Sequence, residues 1–470
     1  MKKTVFLITF ISFISGCAVG PDYKRPQVKT PVKHRGTLSA EDKKSLADLP
    51  WWEIFKDPTL KGLVDEGLKS NLDLKIATAR MEQMRELARI KKGDYYPQLN
   101  YGAVDNYGKN VASSGLPAGK NSNMFAGNVQ MQWELDVWGR VRRGSESATA
   151  QYLASMEAQR DITIILIAEL AQTYLELREL DGELEIAKRT TDSFQNTYNL
   201  FNSRYKGGDA SMLECSRAGA ALAQVAAAVP YLENQIFEKE NQISFLLGKV
   251  PIAIPRGQAL ADQYLVPEIP VGLPSALLER RPDVRQAEQL LIAANAEIGV
   301  AKANFFPQFS LTGLFGTASP DLKTFSNSWS VGGGITGPIF NGGKISANYE
   351  AAKQSYEQVK SQYEKTVLNA FMEVANAINL QQKLTSIRTE QARTVDFLRT
   401  ATKLSMDRYK KGLSNYTDVL DAQQQLFPAE NDLIRTDRDR LLAIVQLFKA
   451  LGGGWDNPNQ SAVNTTKVYN

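Results

Sequence analysis

One histidine, His34, and two cysteines, Cys17 and Cys215, occur in the 470 residues. That scarcity excludes a His/Cys metal cluster within one chain. With His34 in a polar tail, no histidine-based catalytic triad is available either. Neither charge is in excess: 55 Lys and Arg against 51 Asp and Glu leave a formal +4, without the basic balance of a nucleic-acid binder. Past the N-terminal segment no run approaches the ~18 apolar residues of a membrane-spanning helix, so a form of this chain that crosses a membrane must do so with strands. Proline is missing between Pro117 and Pro230 and again between Pro338 and Pro428. Both stretches are therefore free to run as long helices.

What is present is a duplication. "RYKGG" at 204–208 returns as "RYKKG" at 408–412, an offset of 204. The same offset pairs Gly139-Arg140 with Gly343-Lys344, Tyr152 with Tyr356, "ELA" (169–171) with "EVA" (373–375), and "LLG" (246–248) with "ALG" (450–452). Upstream the offset is 210, matching "DYYPQL" (94–99) to "NFFPQF" (304–309) and "NLDLK" (71–75) to "RPDVR" (281–285). One change of six residues between Pro97 and Gly139 reconciles the two offsets. The period is far beyond the ~20–50 residues of solenoid repeats and predicts one body with internal pseudo-symmetry.

"MKKTVFLITFISFISGC" reads as a targeting segment, with Lys2 and Lys3 ahead of a short apolar stretch. "ISGC" (14–17) resembles a bacterial lipobox, in which Cys17 is acylated and becomes the N-terminus. Ala18, not Asp, follows it, as in lipoproteins of the outer membrane. Residues 17–50 read as an extended tail, and "WWEIFKDPTL" (51–60) opens a helical stretch to about Lys92. The period then changes. From Val129 to Val137 the odd positions are Val, Met, Trp, Leu, Val and the even ones Gln, Gln, Glu, Asp. That is a strand with one oily and one polar face. "FSLTGLFG" (309–316) and "SWSVGGGITGPIF" (328–340) repeat the pattern, while 99–107 alternates less cleanly. These segments suit tilted membrane strands of ~9–11 residues. Glu134 and Asp136 share the polar parity and are expected to face a barrel lumen. Arg143 to Tyr205 as one helix would run ~95 Å. Tyr349, Tyr356, Tyr363, Ala370, Ala377 and Leu384 follow a seven-residue step, the mark of a coiled-coil seam. Each pentapeptide closes a long helix, and a glycine turn sends the chain back along a second one, Leu213–Leu247 or Asp418–Leu451.

Each repeat thus offers two membrane strands and two long helices. Four strands cannot close a single-chain barrel, which begins at about eight, and open edges are not tolerated in hydrocarbon. Three chains pooling twelve strands form a reasonable closed ring. The expected boundaries are a signal peptide at 1–16, a lipidated tail at 17–59, repeat 1 at 60–272 with a hairpin at about 97–138, repeat 2 at 273–452 with a hairpin at about 307–340, and a C-terminal tail at 453–470.

"GCAVGPDYKRP" (16–26), "WWEIFKDPTL" (51–60), "LPSALLERRPDVRQAE" (273–288), "FFPQFSL" (305–311) and "VLDAQQQLF" (419–427) together resemble the lipoprotein (NodT-type) branch of the TolC-like outer-membrane factors. The resemblance implies a mixed α and β membrane protein, a trimer forming a 12-stranded outer-membrane β-barrel continuous with a periplasmic α-helical coiled-coil barrel. It implies the exit duct of a tripartite multidrug or metal efflux system. The partners would be a homotrimeric copy, a periplasmic membrane-fusion adaptor, an inner-membrane pump of the resistance-nodulation-division type, and outer-membrane lipid. No cofactor is expected beyond the lipid on Cys17.

Asp418 and Asp421 are three apart and share a helix face; the resemblance places such a pair at the periplasmic mouth of the duct. Arg204, Tyr205, Arg408 and Tyr409 sit at the two turns and are expected to link neighbouring coils. Cys215 reads as a small packed residue, with a disulfide between protomers as the alternative. A duct for a type I protein secretion system is the alternative function. A lipid-tethered enzyme lacks a site, since "GPIFNGGKI" (337–345) has the wrong spacing for a phosphate loop. A coiled-coil adaptor would not need four alternating membrane-type segments.

Overall fold

The computed structural model describes residues 18–31, 35, 56–109, 121–260 and 274–453. The targeting segment, Cys17, His34, the 51–55 stretch and the expected C-terminal tail beyond residue 453 lie outside the described residues. The elements are α1 (Pro58–Ser70), α2 (Leu72–Gly93), β1 (Gln98–Lys109), β2 (Asn121–Leu135), α3 (Arg140–Lys206), α4 (Met212–Ala226), α5 (Ala228–Leu246), α6 (Leu277–Arg280), α7 (Pro282–Ala303), β3 (Gln308–Ser319), β4 (Ser326–Thr336), α8 (Lys344–Lys410) and α9 (Tyr416–Ala450). Among the described residues no helix is long and apolar enough to cross a membrane.

These bounds place the duplication residue by residue. An offset of 210 carries α2 onto α7 and β1 onto β3. An offset of 204 carries α3 onto α8, and the span of α4 and α5 onto α9. Gln98 pairs with Gln132 and Gln308 with Thr336, so the six-residue difference falls within the two hairpin loops. Exposed hairpin loops are where a chain best accepts a change of length.

The chain divides into two compact units. The first comprises Met1–Gln27, Ala79–Met156 and Gln286–Lys365. Its centre is one antiparallel sheet in the order β1-β2-β3-β4. Cross-strand partners share a face, and the register sorts most of the side chains, with Val104 and Leu314 left on the polar face and Asp105 on the apolar one. Leu99, Tyr101, Met131, Val129, Trp133, Leu311, Phe315, Trp329, Val331 and Ile335 lie on one face; Asn100, Gln130, Gln132, Glu134, Ser310, Thr312, Ser328 and Ser330 lie on the other.

Described tail residues strap this unit. Val19 N–H donates to the Trp138 carbonyl at 3.0 Å, and Asn295 Nδ2 donates to the Pro21 carbonyl at 2.9 Å. Arg143 reaches Asp22 at 2.6 Å. Arg25 grips both oxygens of the Glu288 carboxylate at 2.5 Å, and Tyr23 Oη donates to the same group at 3.1 Å. Burial and the Glu288 charge push the Tyr23 phenol far up.

The second unit comprises Val28–Thr78, Glu157–Arg285 and Thr366–Asn470. Its core joins Leu60, Val64, Leu170, Tyr174, Leu175, Ile243, Leu247, Val374, Ile444 and Phe448. The seven-residue step on α8 is buried here at Ala370, Ala377 and Leu384; in the first unit it is buried at Tyr363 and half-buried at Tyr349 and Tyr356. The stretch expected as one helix to Lys92 is two. Asn71 interrupts it, its Oδ1 accepting from Leu74 N–H at 2.9 Å and its Nδ2 donating to the Leu246 carbonyl at 2.8 Å. In repeat 2 the matching position is Arg281, whose guanidinium donates to the Ala450 carbonyl at 2.9 Å, the residue matching Leu246. Both residues thus tie a helix end, which is the physical content of the "NLDLK" and "RPDVR" echo. The helix expected over Leu213–Leu247 is also two, broken at Ala227. Pro230, lacking an N–H, cannot bond back to the residue 226 carbonyl. Pro428 is carried inside α9.

The strap yields a test. Glu288→Ala removes the acceptor shared by Arg25 and Tyr23, and bonds to charged groups are worth about 1.5–3 kcal/mol. Trypsin cleavage after Lys24 should then quicken roughly tenfold, the factor that about 1.4 kcal/mol represents, with far-ultraviolet circular dichroism unchanged. An unchanged cleavage rate would mean the tail is held by its other contacts.

Candidate functional site

The two helix turns of the second unit share one geometry. In the first, Asp209 N–H donates to the Arg204 carbonyl at 2.8 Å and Gly208 N–H to the Tyr205 carbonyl at 3.0 Å. In the second, Leu413 N–H donates to the Arg408 carbonyl at 2.9 Å and Gly412 N–H to the Tyr409 carbonyl at 3.0 Å. Each is a Schellman closure, which needs a left-handed residue at the fifth position. Gly208 (φ 84°) and Gly412 (φ 74°) supply it. Gly207 has no positive φ, and this is why Lys411 can replace it in repeat 2.

The pentapeptide side chains meet across the repeats. Arg204 Nη1 donates to Tyr409 Oη at 2.8 Å, and its guanidinium carbon lies 5.0 Å from the Tyr409 ring centre. The Phe201 ring lies tilted against those of Tyr416 and Tyr409, with ring centres 4.0 and 5.4 Å away. Burial pushes the Tyr416 phenol up to about 12. The Arg204–Tyr409 link joins two helices of one chain. Arg408, by contrast, turns onto its own loop, donating to the Leu413 carbonyl at 3.3 Å, and Tyr205 is exposed. Asp418 and Asp421 are exposed in the first turns of α9; Asp421 accepts from Gln425 at 3.2 Å. Cys215 is buried with a free thiol.

At the strand end, Glu134 is the penultimate residue of β2, and Arg140 holds it through a bond of 2.9 Å from Nε to Oε1. Asp136 differs from expectation. The strand ends at Leu135, and the Asp136 carboxylate folds back to accept Val141 N–H and Arg142 N–H, each at 2.9 Å. The free amides at the start of α3 attract a carboxylate more strongly than a continued strand would. Asp136 is a helix cap and not a strand side chain.

Sequence reasoning missed a ladder of buried carboxylates between α3 and α9. Glu179 accepts from Arg438 at 2.5 Å, Glu183 from Arg435 at 2.7 Å, and Glu430 takes Arg189 at 2.6 Å and Arg399 of α8 at 2.7 Å. Gln423 continues the ladder toward Ser193 at 3.4 Å. Partners about 240 to 260 residues apart leave no local signal in the chain. Burial pushes the Glu179 carboxyl up from 4.5 to about 7, against the pull of Arg438. A carboxyl whose folded value is raised binds its proton more tightly when folded, so stability from this group falls as pH climbs from about 4.5 through 7. Glu179→Gln should remove this loss. The melting temperature of the variant should gain on the parent between pH 5 and 8; a constant difference would show that Glu179 is ionised throughout.

A family model described as outer membrane efflux protein matches residues 63–249 and 273–453, one span in each repeat. The chain is 35% identical over 454 residues to the solvent efflux pump outer membrane protein SrpC of Pseudomonas putida, covering 94% of this chain and 96% of the relative. It is 32% identical over 451 residues to the cation efflux system protein CusC of Escherichia coli, covering 94% and 96%. Among solved structures, the open state of the Neisseria gonorrhoeae MtrE outer membrane channel matches with a TM-score of 0.84 at 30% identity, over 94% of this chain and 99% of that one. The fold class expected from the sequence is the one found, that of trimeric channels in which each chain gives four strands to the barrel. Such channels sit in the outer membrane of Gram-negative bacteria, reach into the periplasm, and work with a periplasmic adaptor and an inner-membrane pump of the resistance-nodulation-division type. The two-faced sheet, the paired helix turns and the match of both repeats lead to one conclusion: the chain belongs to the outer membrane efflux protein family, as the outer-membrane channel of a tripartite efflux pump.

Proposed function

We propose a passive exit duct, without catalysis and without a bound cofactor, anchored by a lipid on Cys17 and gated at the helix turns. The observation that carries the gate is the pairing of a locked turn with an open acidic face. Arg204 is tied to Tyr409, while Asp418 and Asp421 stand exposed in the opening turns of α9. Three chains gathering these carboxylates around one axis concentrate negative charge, which attracts cations and opposes closure. Arg204, Tyr205, Arg408 and Tyr409 supply the contacts that offset it. Glu134 lines the lumen from the polar face of the sheet, with Asp136 at its rim. The pump selects the cargo; relatives named for solvent and for cation export support a duct that does not read it. They favour small toxic solutes over secreted proteins.

Single-channel recording in planar bilayers tests the gate. Asp418→Ala with Asp421→Ala should weaken block by multivalent cations several-fold, and Arg204→Ala or Arg408→Ala should raise the open conductance. Parental block and conductance in all of them would remove this gate. A deletion strain should lose tolerance of toxic solutes and keep its secreted proteins. Cys17→Ala should abolish palmitate labelling.

A further inference from the structure

Each repeat enters its first strand through the same turn. In repeat 1 Tyr95 N–H donates to the Lys92 carbonyl at 3.3 Å, and Tyr96 N–H to the Gly93 carbonyl at 3.0 Å. In repeat 2 Phe305 N–H donates to the Lys302 carbonyl at 3.2 Å, and Phe306 N–H to the Ala303 carbonyl at 3.1 Å. A proline follows, Pro97 or Pro307, and then β1 or β3 begins. Tryptophans clamp both turns. Trp133 Nε1 donates to the Tyr95 carbonyl at 3.0 Å. Trp138 stacks on Phe306 at 4.6 Å and donates to the Pro307 carbonyl at 2.8 Å. One ring of each aromatic pair is left outward: Tyr96 is 70% exposed and Phe305 45%.

Each turn also carries a lysine without a counter-ion. Lys91 pairs with Asp94 at 3.5 Å. Neither Lys92 nor Lys302 has an ion pair or side-chain hydrogen bond among the described residues, nor does the Tyr96 hydroxyl. Repeat 2 lacks the Lys91–Asp94 pair, with Ala301 and Asn304 in those places, and still has the lone lysine. On α2, Lys92 shares a face with the exposed Arg85 and Arg89 and lies away from the apolar Leu87 and Ile90. On α7, Lys302 follows Glu288 and Asn295 at seven-residue steps, the line along which the tail is strapped. The helices leave the sheet at this end and reach into the periplasm, so the turns lie at the inner boundary of the outer membrane. Aromatic girdles mark such a boundary. The lysines lie one helical turn, about 5 Å, from the rings, which is headgroup depth in a polar layer about 5–7 Å thick.

We propose that the repeat 1 turn is a binding site for an anionic glycerophospholipid of the periplasmic leaflet. The lipid phosphate sits between Lys92 Nζ and Tyr96 Oη, and the acyl chains run along the apolar face past Leu99 and Tyr101, both exposed. The lysine stem lies against apolar surface while its ammonium reaches the phosphate. The seat is preformed. Trp133 and Pro97 fix the turn before any lipid arrives, so little ordering entropy is lost on binding. The headgroup has to be anionic, because in a zwitterionic lipid the ammonium offsets the phosphate and a lone lysine gains little. Repeat 2 sets the same cation beside Phe305, which has no hydroxyl to donate, so its site is the weaker one. One strong seat per chain makes three in the trimer.

Native mass spectrometry of the intact trimer counts retained lipid. Offered phosphatidylglycerol and phosphatidylethanolamine in equal amounts, the parent should keep up to three phosphatidylglycerol molecules, roughly fivefold in preference to the other lipid. Lys92→Ala and Tyr96→Phe should each weaken that retention about fivefold, the factor that about 1 kcal/mol represents. Lys92→Arg keeps the charge and should bind as the parent does. Phe305→Tyr should act in the opposite direction and add up to three further molecules, because it builds the missing hydroxyl into the second turn. Every variant is scored on the trimer peak. Tyr96→Phe and Phe305→Tyr, which remove or add one hydroxyl, decide the matter if Lys92→Ala does not assemble. Equal retention of the two lipids overturns the proposal, as does parental retention in either Lys92→Ala or Tyr96→Phe. Displacement of the lipid by inorganic phosphate at the same concentration also overturns it, since a free anion would then be the ligand.

Discussion

A strand edge whose amides and carbonyls face hydrocarbon has no water to satisfy them, and the assembly of this chain follows from that constraint. Four strands carry two such edges. No rearrangement within one chain removes them, so the protein is oligomeric by necessity. The polar face formed by Gln130, Gln132, Ser310 and Thr312 then has an aqueous side to look into, and the face of Trp133, Leu311 and Val331 a lipid side.

The helical unit answers a different demand. Its two turns close identically, with Gly208 and Gly412 in the left-handed region, because a glycine there is the low-cost way to stop a long helix and turn it back. Between the turns and the Leu60–Phe448 core, the repeats are held by ionic rungs at Glu179, Glu183 and Glu430. Such rungs contribute less net stability than packed hydrocarbon, but removal of one partner leaves a buried charge alone. They therefore fix register more than they add strength. At the turn, Arg204 on Tyr409 serves the same end with one neutral partner.

Much of this architecture was legible in the chain. Alternation over 129–137 announced β2, the proline-free stretches announced α3 and α8, and the seven-residue step announced the buried face at Tyr363, Ala370 and Ala377. The errors were local contests between a pattern and a cap. Asp136 continued the alternation yet left the strand, since two helix amides lay within reach of its carboxylate. Asn71 sat inside a helical pattern yet ended α1, since its side chain served both the start of α2 and the end of α5. Periodicity reads the average environment of a segment; a cap depends on one hydrogen bond.

By itself the sequence determined the duplication, the number of strands per repeat, the two-sided character of the sheet and the need for partner chains. All of these rest on spacing between neighbours or on exact offsets, which survive in one dimension. Only the tertiary structure decided which charges meet. Glu179 finds Arg438, Glu288 finds Arg25, and Arg204 of repeat 1 finds Tyr409 of repeat 2. Each pair joins positions more than 200 residues apart, whose identities are set by the packing register of helices and by burial. Neither quantity is written in the order of the residues alone.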